Sequence, residues 1–549
     1  MSLYPPDTPD RIPRTHPVLS YLGARSEPTR PPRRQVAYLP SQFAFDPHSY
    51  TSGKWLRQDD AQRSSRHIDF DFDALCWRII SLFPDSDPIA KCEKVEGRSN
   101  RVFIFTLNNG KRVVAKLPFR SAGSPSLITR SEVATTEFYD QTSIPLPEIH
   151  DWSFGDGDEN SIGWPYIIMD HAEGVPLDKK WPDMLGVDQL SCVATIYWLL
   201  GHLTELDYPG YGSLYFSRGR GKPDEQLLDV NPLFGLGPHC NPRYWDCGSC
   251  DPRTYHRVAH NPGPWQTLSE YSDALVDAGL SLLPYLDPHQ PKRPASYGTL
   301  AAAIDLLQQS RPLLKGICAD PIVQAVASPL LWHPNLQKRK VFVDENDPTV
   351  ITAIIGWHNA SVDPTFWHAF DTPDFASYID GPAGSLCSFQ FQDIIGTFVP
   401  SFAAPRSLGP DLFQPLLRSW RVWRDGVPGL CKDLSVVAQR WQEFGLEDPS
   451  PFPPDLPAVI WEGLKMYPQL RTNEILRDTV AGLLSVPHDG WVPIHRWEET
   501  KLRHDSLKFL FLGGNRNGTS SPVSPVVRVM TDEKFQGAHW PFELWRQFR

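Results

Sequence analysis

Two stretches, far apart in the chain, carry residues whose types and spacing suit chemistry on phosphate. In the first, Val113-Val-Ala-Lys116 ends an apolar stretch, and Glu132 follows sixteen residues later in Ser131-Glu-Val-Ala-Thr-Thr-Glu-Phe138, which reads as a helix. A strand-ending lysine followed by a helical glutamate is an order used to hold a lysine against nucleotide phosphates. An exposed lysine and glutamate can equally be an ordinary solvated surface. Just upstream, Val95-Glu-Gly-Arg-Ser-Asn100 could offer backbone N–H groups, with the side chains of Ser99 and Asn100, to a phosphate. Gly97 is the only glycine in that stretch, which makes it a weak phosphate loop by itself.

The second stretch runs from Leu331 to Pro364. Val341 and Val343, then Ile351, Ala353 and Ile355, alternate with the period of two expected of strands. Asp347-Pro348 lies in a short polar connection between them. In an antiparallel hairpin the start of the first strand lies beside the end of the second. The loop before Val341 and the loop after Ile355 should therefore meet. Asp344, Asp347 and Asp363 are the nearby carboxylates that could serve a metal.

Between these stretches and inside them, the motifs resemble those of the fungal aminoglycoside-phosphotransferase-like family. That family frames its chemistry with a pattern close to H-x-D-L-x-x-x-N-(I/V)-F-V-D, a hairpin, then I-I-D-W. This chain keeps His333, Leu336, Phe342, Val343, Asp344, Ile354, Ile355 and Trp357. It has Asn335 where the family has its base, Lys340 where it has a metal-binding asparagine, and Gly356 where it has a metal-binding aspartate. The resemblance further implies that Gly97, Ser99, Asn100, Lys116 and Glu132 face nucleotide phosphates. Tyr166-Ile-Ile-Met-Asp-His-Ala-Glu-Gly174 resembles the interlobe hinge, so adenine would meet the backbone of Asp170, His171 and Ala172.

The implied fold is α+β and two-lobed, of the protein-kinase-like type, with a small β-rich N-lobe and a large helical C-lobe. The expected division is a Pro/Arg-rich extension over 1–65, the N-lobe over 66–170, and the C-lobe over 171–513. A turn-rich insertion at about 208–298 and a tail over 514–549 complete it. Helices are expected at 189–206 and 299–310, and near 410–427, 434–444 and 473–485. The tail should carry a late aromatic anchor, Trp540 and Trp545. The segment Phe45-Asp-Pro-His-Ser-Tyr-Thr-Ser-Gly-Lys-Trp-Leu56, with Phe70-Asp-Phe-Asp-Ala-Leu75, resembles the lead-in of a mitochondrial branch of the same family, and should strap onto the first lobe.

The substitutions decide the expected chemistry. An asparagine amide can orient a hydroxyl but cannot act as a carboxylate base, and losing a general base costs roughly 10²- to 10⁴-fold. Magnesium takes oxygen ligands, usually with one or two carboxylates. Gly356 supplies none, and Lys340 puts a cation where the metal would be. The expectation is a pseudokinase, catalytically impaired, with ATP as a possible ligand, doubtful Mg2+ binding, and a role as scaffold or regulator. An active phosphotransferase of unknown substrate and a structural protein without nucleotide are the alternatives.

The remaining signals bound the setting. The 549 residues can bury a large core, and 41% hydrophobic content with 19 Trp and 28 Phe is globular composition. A net charge of -11 argues against nucleic acid and anionic membranes as partners, and no apolar run approaches a membrane span. The start shows no secretory pattern; its arginines suit a mitochondrial presequence, while Asp7, Asp10 and the prolines do not. The expected location is therefore the mitochondrion by resemblance, otherwise the cytoplasm. Nine cysteines, an odd count, fit a reducing compartment. His239, Cys240, Cys247, Cys250 and His256 could hold zinc, or Cys247 and Cys250 could form a redox pair, or these are ordinary loop cysteines.

Overall fold

The computed structural model describes residues 43–84, 89–139, 142–155, 160–219, 222–223, 226–248, 253–255, 258–284, 294–376, 381–512 and 540–542. After a short strand at Gly53–Trp55 and a helical stretch at Asp59–Ser64 comes helix α1 (Phe72–Leu82), whose N-cap Asp71 accepts the Ala74 N–H, a cap worth about 1 kcal/mol. Strands β1 (Ile89–Glu96), β2 (Asn100–Leu107) and β3 (Arg112–Pro118) follow as a meander, and Gly110 in the second turn takes φ +85°. Helix α2 (Pro125–Tyr139) comes next, then β4 (Ile149–Ser153) and β5 (Tyr166–Asp170). The five strands form one antiparallel sheet in the order β1-β2-β3-β5-β4.

Alternation along these strands sorts the two faces. Phe103, Phe105, Val113, Ala115 and Leu117 are buried on the outer face with Leu75 and Ile79 of α1. Val102 lies opposite Lys116, and Val114 opposite Met169, so these residues share the other face. That face is only half covered for Val102, Val114 and Met169, and it looks toward the rest of the chain.

After β5 the chain passes through residues 171–174 into β6 (Val175–Pro176) and helix α3 (Gly186–Gly201). A long insertion follows, containing strands β7 (Ser213–Phe216), β8 (Leu228–Asp229) and β9 (Phe234–Gly237), and helix α4 (Leu268–Ser281). Helix α4 was not expected in a turn-rich region, although its start is legible: Thr267 and Glu270 form a capping box. Helix α5 (Leu300–Ala319) runs to β10 (Pro329–Trp332), the hairpin β11 (Val341–Val343) and β12 (Ile351–Ile354), and β13 (Ser361–Pro364). Then come α6 (Gly381–Phe398), α7 (Val427–Gln439), α8 (Ala458–Leu484) and α9 (Trp497–Phe511). Two separate clusters of buried side chains fill this lobe, one around α3 and the hairpin, the other around α4, α5 and α7. The result is the two-lobed, kinase-like α+β fold.

Local expectations failed where one residue changes the geometry. The stretch expected as one helix near 410–427 is broken into three short helices, Pro410–Leu412, Gln414–Ser419 and Val422–Asp425, with Pro410, Pro415 and Gly426 in its path. Conversely, α8 starts at Ala458 and carries Pro468 inside it, so the proline did not delay the helix to residue 473. In the hairpin, the pairing shifts between Phe342 and Val343. Because of that bulge, Ile351 joins Ile354 in the main core while Ala353 and Ile355 stay together on the face of Phe342 and Ala172, so Ile351 alone leaves the alternation. At the tail, Trp540 is buried, and Trp545 lies outside the described residues.

Candidate functional site

Lys116 lies on the sheet face that looks into the cleft, its strand continuing past it to Pro118 rather than ending there, and Glu132 lies on α2 behind it. Both are buried, and they form a direct ion pair. Burial of both charges makes this an organised pair rather than a solvated surface contact.

Across the cleft the two hairpin loops do meet. The Ile355 N–H donates to Lys340 O at 2.9 Å, and the Lys340 N–H donates to Gln337 O at 2.9 Å. Residue 340 is thereby fixed beside residue 356. Gly356 has φ +94°, and a Cβ built on it would lie 3.0 Å from Lys340 Cδ, 3.1 Å from Cε and 3.2 Å from Nζ. The lysine side chain runs through the space that a side chain at 356 would need.

Electrostatically the spot is unusual. Burial, then Arg339, then Lys116 push the Lys340 amine down to about 7, opposed by Glu132. Its ammonium forms no ion pair among the described residues. His358 faces the same group of charges: burial, Lys116, Lys340 and His333 hold its imidazole well below its ordinary value. Its Nδ1 is buried without a hydrogen-bond partner. His333 is pushed down to about 3, by burial and then by Lys340. His333 Nε2 donates to Ile355 O at 3.1 Å and Nδ1 accepts the Asn335 N–H at 3.2 Å, which fits a neutral ring that braces one loop against the other. Asn335 itself is exposed, at a cavity of about 200 Å³ shared with His333, His368, Asp371 and Asp374.

The carboxylates considered as substitutes are committed elsewhere. Asp344 accepts the N–H groups of Asn346 and Asp347, and Asp347 those of Thr349, all in the turn at the far end. Asp363 is fully buried in the C-lobe, where it accepts from Tyr271 Oη at 2.5 Å, Ser361 Oγ at 2.8 Å and His239 Nε2 at 3.0 Å, with Arg243 at 3.7 Å. His239, Arg243 and His368 hold its pKa far below the carboxylate range despite burial. Among the described residues no group of three or more His, Cys, Asp or Glu could hold a metal. Lys340 and Gly356 offer a magnesium ion no ligand: one side chain is an amine and the other position a bare α-carbon.

The remaining candidates are placed as follows. Gly97 N–H is spent on Asn100 O at 3.0 Å, so the turn between β1 and β2 closes on itself. Ser99 O accepts the Phe119 N–H at 2.8 Å, and buried Asn100 keeps an unpartnered Oδ1. In the hinge, Asp170 N–H goes to Glu148 O and His171 N–H to Arg112 O. The Asp170 carboxylate turns to His150 and Lys111. Ala172 packs with Phe342 and Ala353, and Ile355 lies against them. Gly174, at φ +78°, lets β6 pass Val343, whose oxygen would sit 2.1 Å from any Cβ there. Of the zinc candidates, His239 binds Asp363 and Cys240 Sγ lies 3.0 Å from Tyr215 Oη, while Cys250 and His256 fall outside the described residues. His358 was not singled out from sequence, though it directly follows the framing Trp357.

No family model matches the chain. Among curated proteins, it is 24% identical over 390 residues to the protein of Yarrowia lipolytica named altered inheritance of mitochondria protein 9, mitochondrial, covering 65% of this chain and 64% of that one. The protein of the same name in Zygosaccharomyces rouxii is 24% identical over 419 residues, covering 62% and 65%. A subtelomeric hrmA-associated cluster protein of Aspergillus fumigatus is 23% identical over 300 residues, covering 50% and 58%. The chain thus spans less than two thirds of the length of each of these relatives. Among solved structures, the streptomycin–ATP complex of aminoglycoside phosphotransferase APH(2'')-IIa aligns at 11% identity and TM-score 0.36, over 68% of this chain and 97% of that one. ADP-bound APH(2'')-Ib aligns at 11% identity and TM-score 0.35, over 68% and 99%. By sequence, then, the chain is a relative of the proteins named altered inheritance of mitochondria protein 9; the kinase-like fold follows from its own strand order and register.

Proposed function

We propose that this protein is a mitochondrial kinase-like protein impaired in phosphoryl transfer, which holds an adenine nucleotide between its lobes without magnesium and serves as a scaffold or regulator. The single observation that carries this reading is Lys340 lying in the space beside Gly356, on the opposite side of the cleft from the Lys116–Glu132 pair. The mitochondrial setting comes from the names of the relatives.

The chain's own groups suit a nucleotide. Val102, Val114 and Met169 present a half-covered apolar face to a base, with Phe342 and Ile355 below. Ala172 N–H has no hydrogen-bond partner among the described residues. Lys116 and Lys340 can neutralise phosphate oxygens, and a bound anion would draw a proton onto Lys340. Phosphoryl transfer is disfavoured because Asn335 is no base and Lys340 and Gly356 supply no metal ligand, and in this reaction positioning and charge neutralisation are nearly all the protein contributes.

The test is thermal unfolding at millimolar ATP, with magnesium and with chelator, since a ligand that binds only the folded state raises the melting temperature. Equal shifts in both conditions support the reading. No shift in either removes nucleotide binding, and a shift that needs magnesium removes the lysine-for-metal role. Transfer of γ-phosphate to any acceptor, measured in parallel, would favour an active phosphotransferase.

A further inference from the structure

The hinge is not the only connection that ties the lobes. Phe43 and Phe45 pack against the outer face of the five-stranded sheet, where Tyr50 is buried. Thr51 and Ser52 then donate their N–H groups to the Glu96 carboxylate at 2.7 and 3.0 Å. Glu96, at the end of β1, is paired with fully buried Arg101 at 2.8 Å, and Arg101 donates to Pro47 O and His48 O. Immediately afterwards Gly53–Trp55, with Trp55 still buried in the N-lobe core and Trp491 packed against that core, pairs antiparallel with Trp491–Pro493, between α8 and α9. Ile494 N–H to Ser52 O at 3.0 Å and Leu56 N–H to Gly490 O at 2.9 Å lengthen the ladder. The chain then continues along the N-lobe, where Ile68 N–H donates to His48 O and Phe70 and Phe72 enter the sheet's core.

This crossing also touches the turn at the mouth of the cleft. Arg98, at the tip between β1 and β2, lies 3.5 Å from Asp489, beside the docked strand. The approach at the crossing is close. A Cβ at Gly53 would meet Trp491 Nε1 and Val492 O at 2.5 Å each.

We infer that residues 43–57 form a clamp that holds the two lobes at a fixed opening and pins the turn at 97–99. Domain closure about a hinge needs a few residues free to absorb the rotation. Two connections at separate points remove that freedom unless the second one peels away, which breaks several backbone hydrogen bonds at once. The cleft of this protein therefore does not open and shut about 170–176 alone. This holds whether or not nucleotide binds, and its test uses none.

Hydrogen–deuterium exchange of the full chain reads it directly. Gly53→Val is expected to raise exchange about tenfold in residues 491–493 and also in 97–100 and 170–176. Loosening at 491–493 with unchanged exchange at 97–100 and 170–176 overturns the clamp. Arg98 is largely exposed, so Arg98→Ala leaves the fold intact if Gly53→Val does not; faster exchange at 97–100 alone is its expected result, and no change there overturns the pinning. A Lys54→Cys, Val492→Cys pair, oxidised to a disulfide across the two facing residues, should leave exchange in 170–176 as in the wild type. A strong slowing there would mean that the strands part in the native protein, and it overturns the clamp as well.

Discussion

The aliphatic chain and amine of Lys340 lie 3.0–3.2 Å from where a Cβ on Gly356 would be. The two altered positions are therefore neighbours in space. Any side chain at 356 would crowd Lys340 as it lies, and glycine there is further favoured by φ +94°.

Restoring an aspartate at 356 alone should consequently fail. Gly356→Asp is expected to lose about 1–3 kcal/mol of stability from the backbone conformation, and to pair its carboxylate with Lys340 instead of a metal. Asn335→Asp, Lys340→Asn and Gly356→Asp together should produce a melting temperature that rises with magnesium in the presence of ATP. Thermal unfolding of the single and triple variants separates the outcomes; a magnesium response in the single variant would refute the coupling.

Lys340→Met removes the amine while keeping most of the packing beside Gly356. If this amine neutralises phosphate, ATP affinity should fall by about 10- to 100-fold, the range of a charge-assisted contact of roughly 1.5–3 kcal/mol. Isothermal titration in chelator measures it, and unchanged affinity removes Lys340 from the nucleotide site.

The pH dependence has a definite sign. Lys340 titrates near 7 in the folded protein against 10.5 for an ordinary lysine. The unfolded chain thus binds more protons between those values, and this group's contribution to stability rises as pH increases from 7 toward 10.5. Lys340→Met should flatten that slope in melting temperature. ATP binding should do the reverse, taking up a proton and weakening as pH rises through 7. His333, held down to about 3 against 6.5, should cost stability as pH falls from 6.5 toward 3.

Breaking the buried pair should hurt more than removing it. Lys116→Met or Glu132→Gln alone leaves an uncompensated charge and is expected to cost about 3–5 kcal/mol. The double variant should cost less than the sum of the two, which a double-mutant cycle in urea resolves.

Asp363→Asn tests whether a displaced carboxylate serves the site. With Tyr271, Ser361, His239 and Arg243 around it, the change should destabilise by about 3–5 kcal/mol and leave any response to magnesium unaltered. A lost magnesium response with stability intact would put Asp363 back in the site.

Much of this arrangement is readable from local pattern. The meander through Leu107 and Arg112, the lysine at 116 and the meeting of the hairpin's loops follow from alternation, turn residues and antiparallel geometry. What is not readable depends on contacts distant in sequence. The bulge beside Val343 shows no residue that announces it. The burial of Asp363 depends on His239 and Tyr271, both from the insertion, and the depressed titration of Lys340 depends on its burial first, then on Arg339 and on Lys116 from the opposite lobe. His358 carries no spacing signal, because it becomes notable only once two lysines converge on it.

The pairing of Trp55 with Trp491 has a consequence for how the chain is made. These partners are separated by roughly four hundred residues, and closing so long a loop carries an entropic cost that only the nearly finished protein can offset. During synthesis the backbone of Gly53–Trp55 must wait, without its ladder partner, until the last helices emerge. The native fold then completes at its two distant ends together, and a truncation after α7 should leave an early segment without its partner and prone to aggregation.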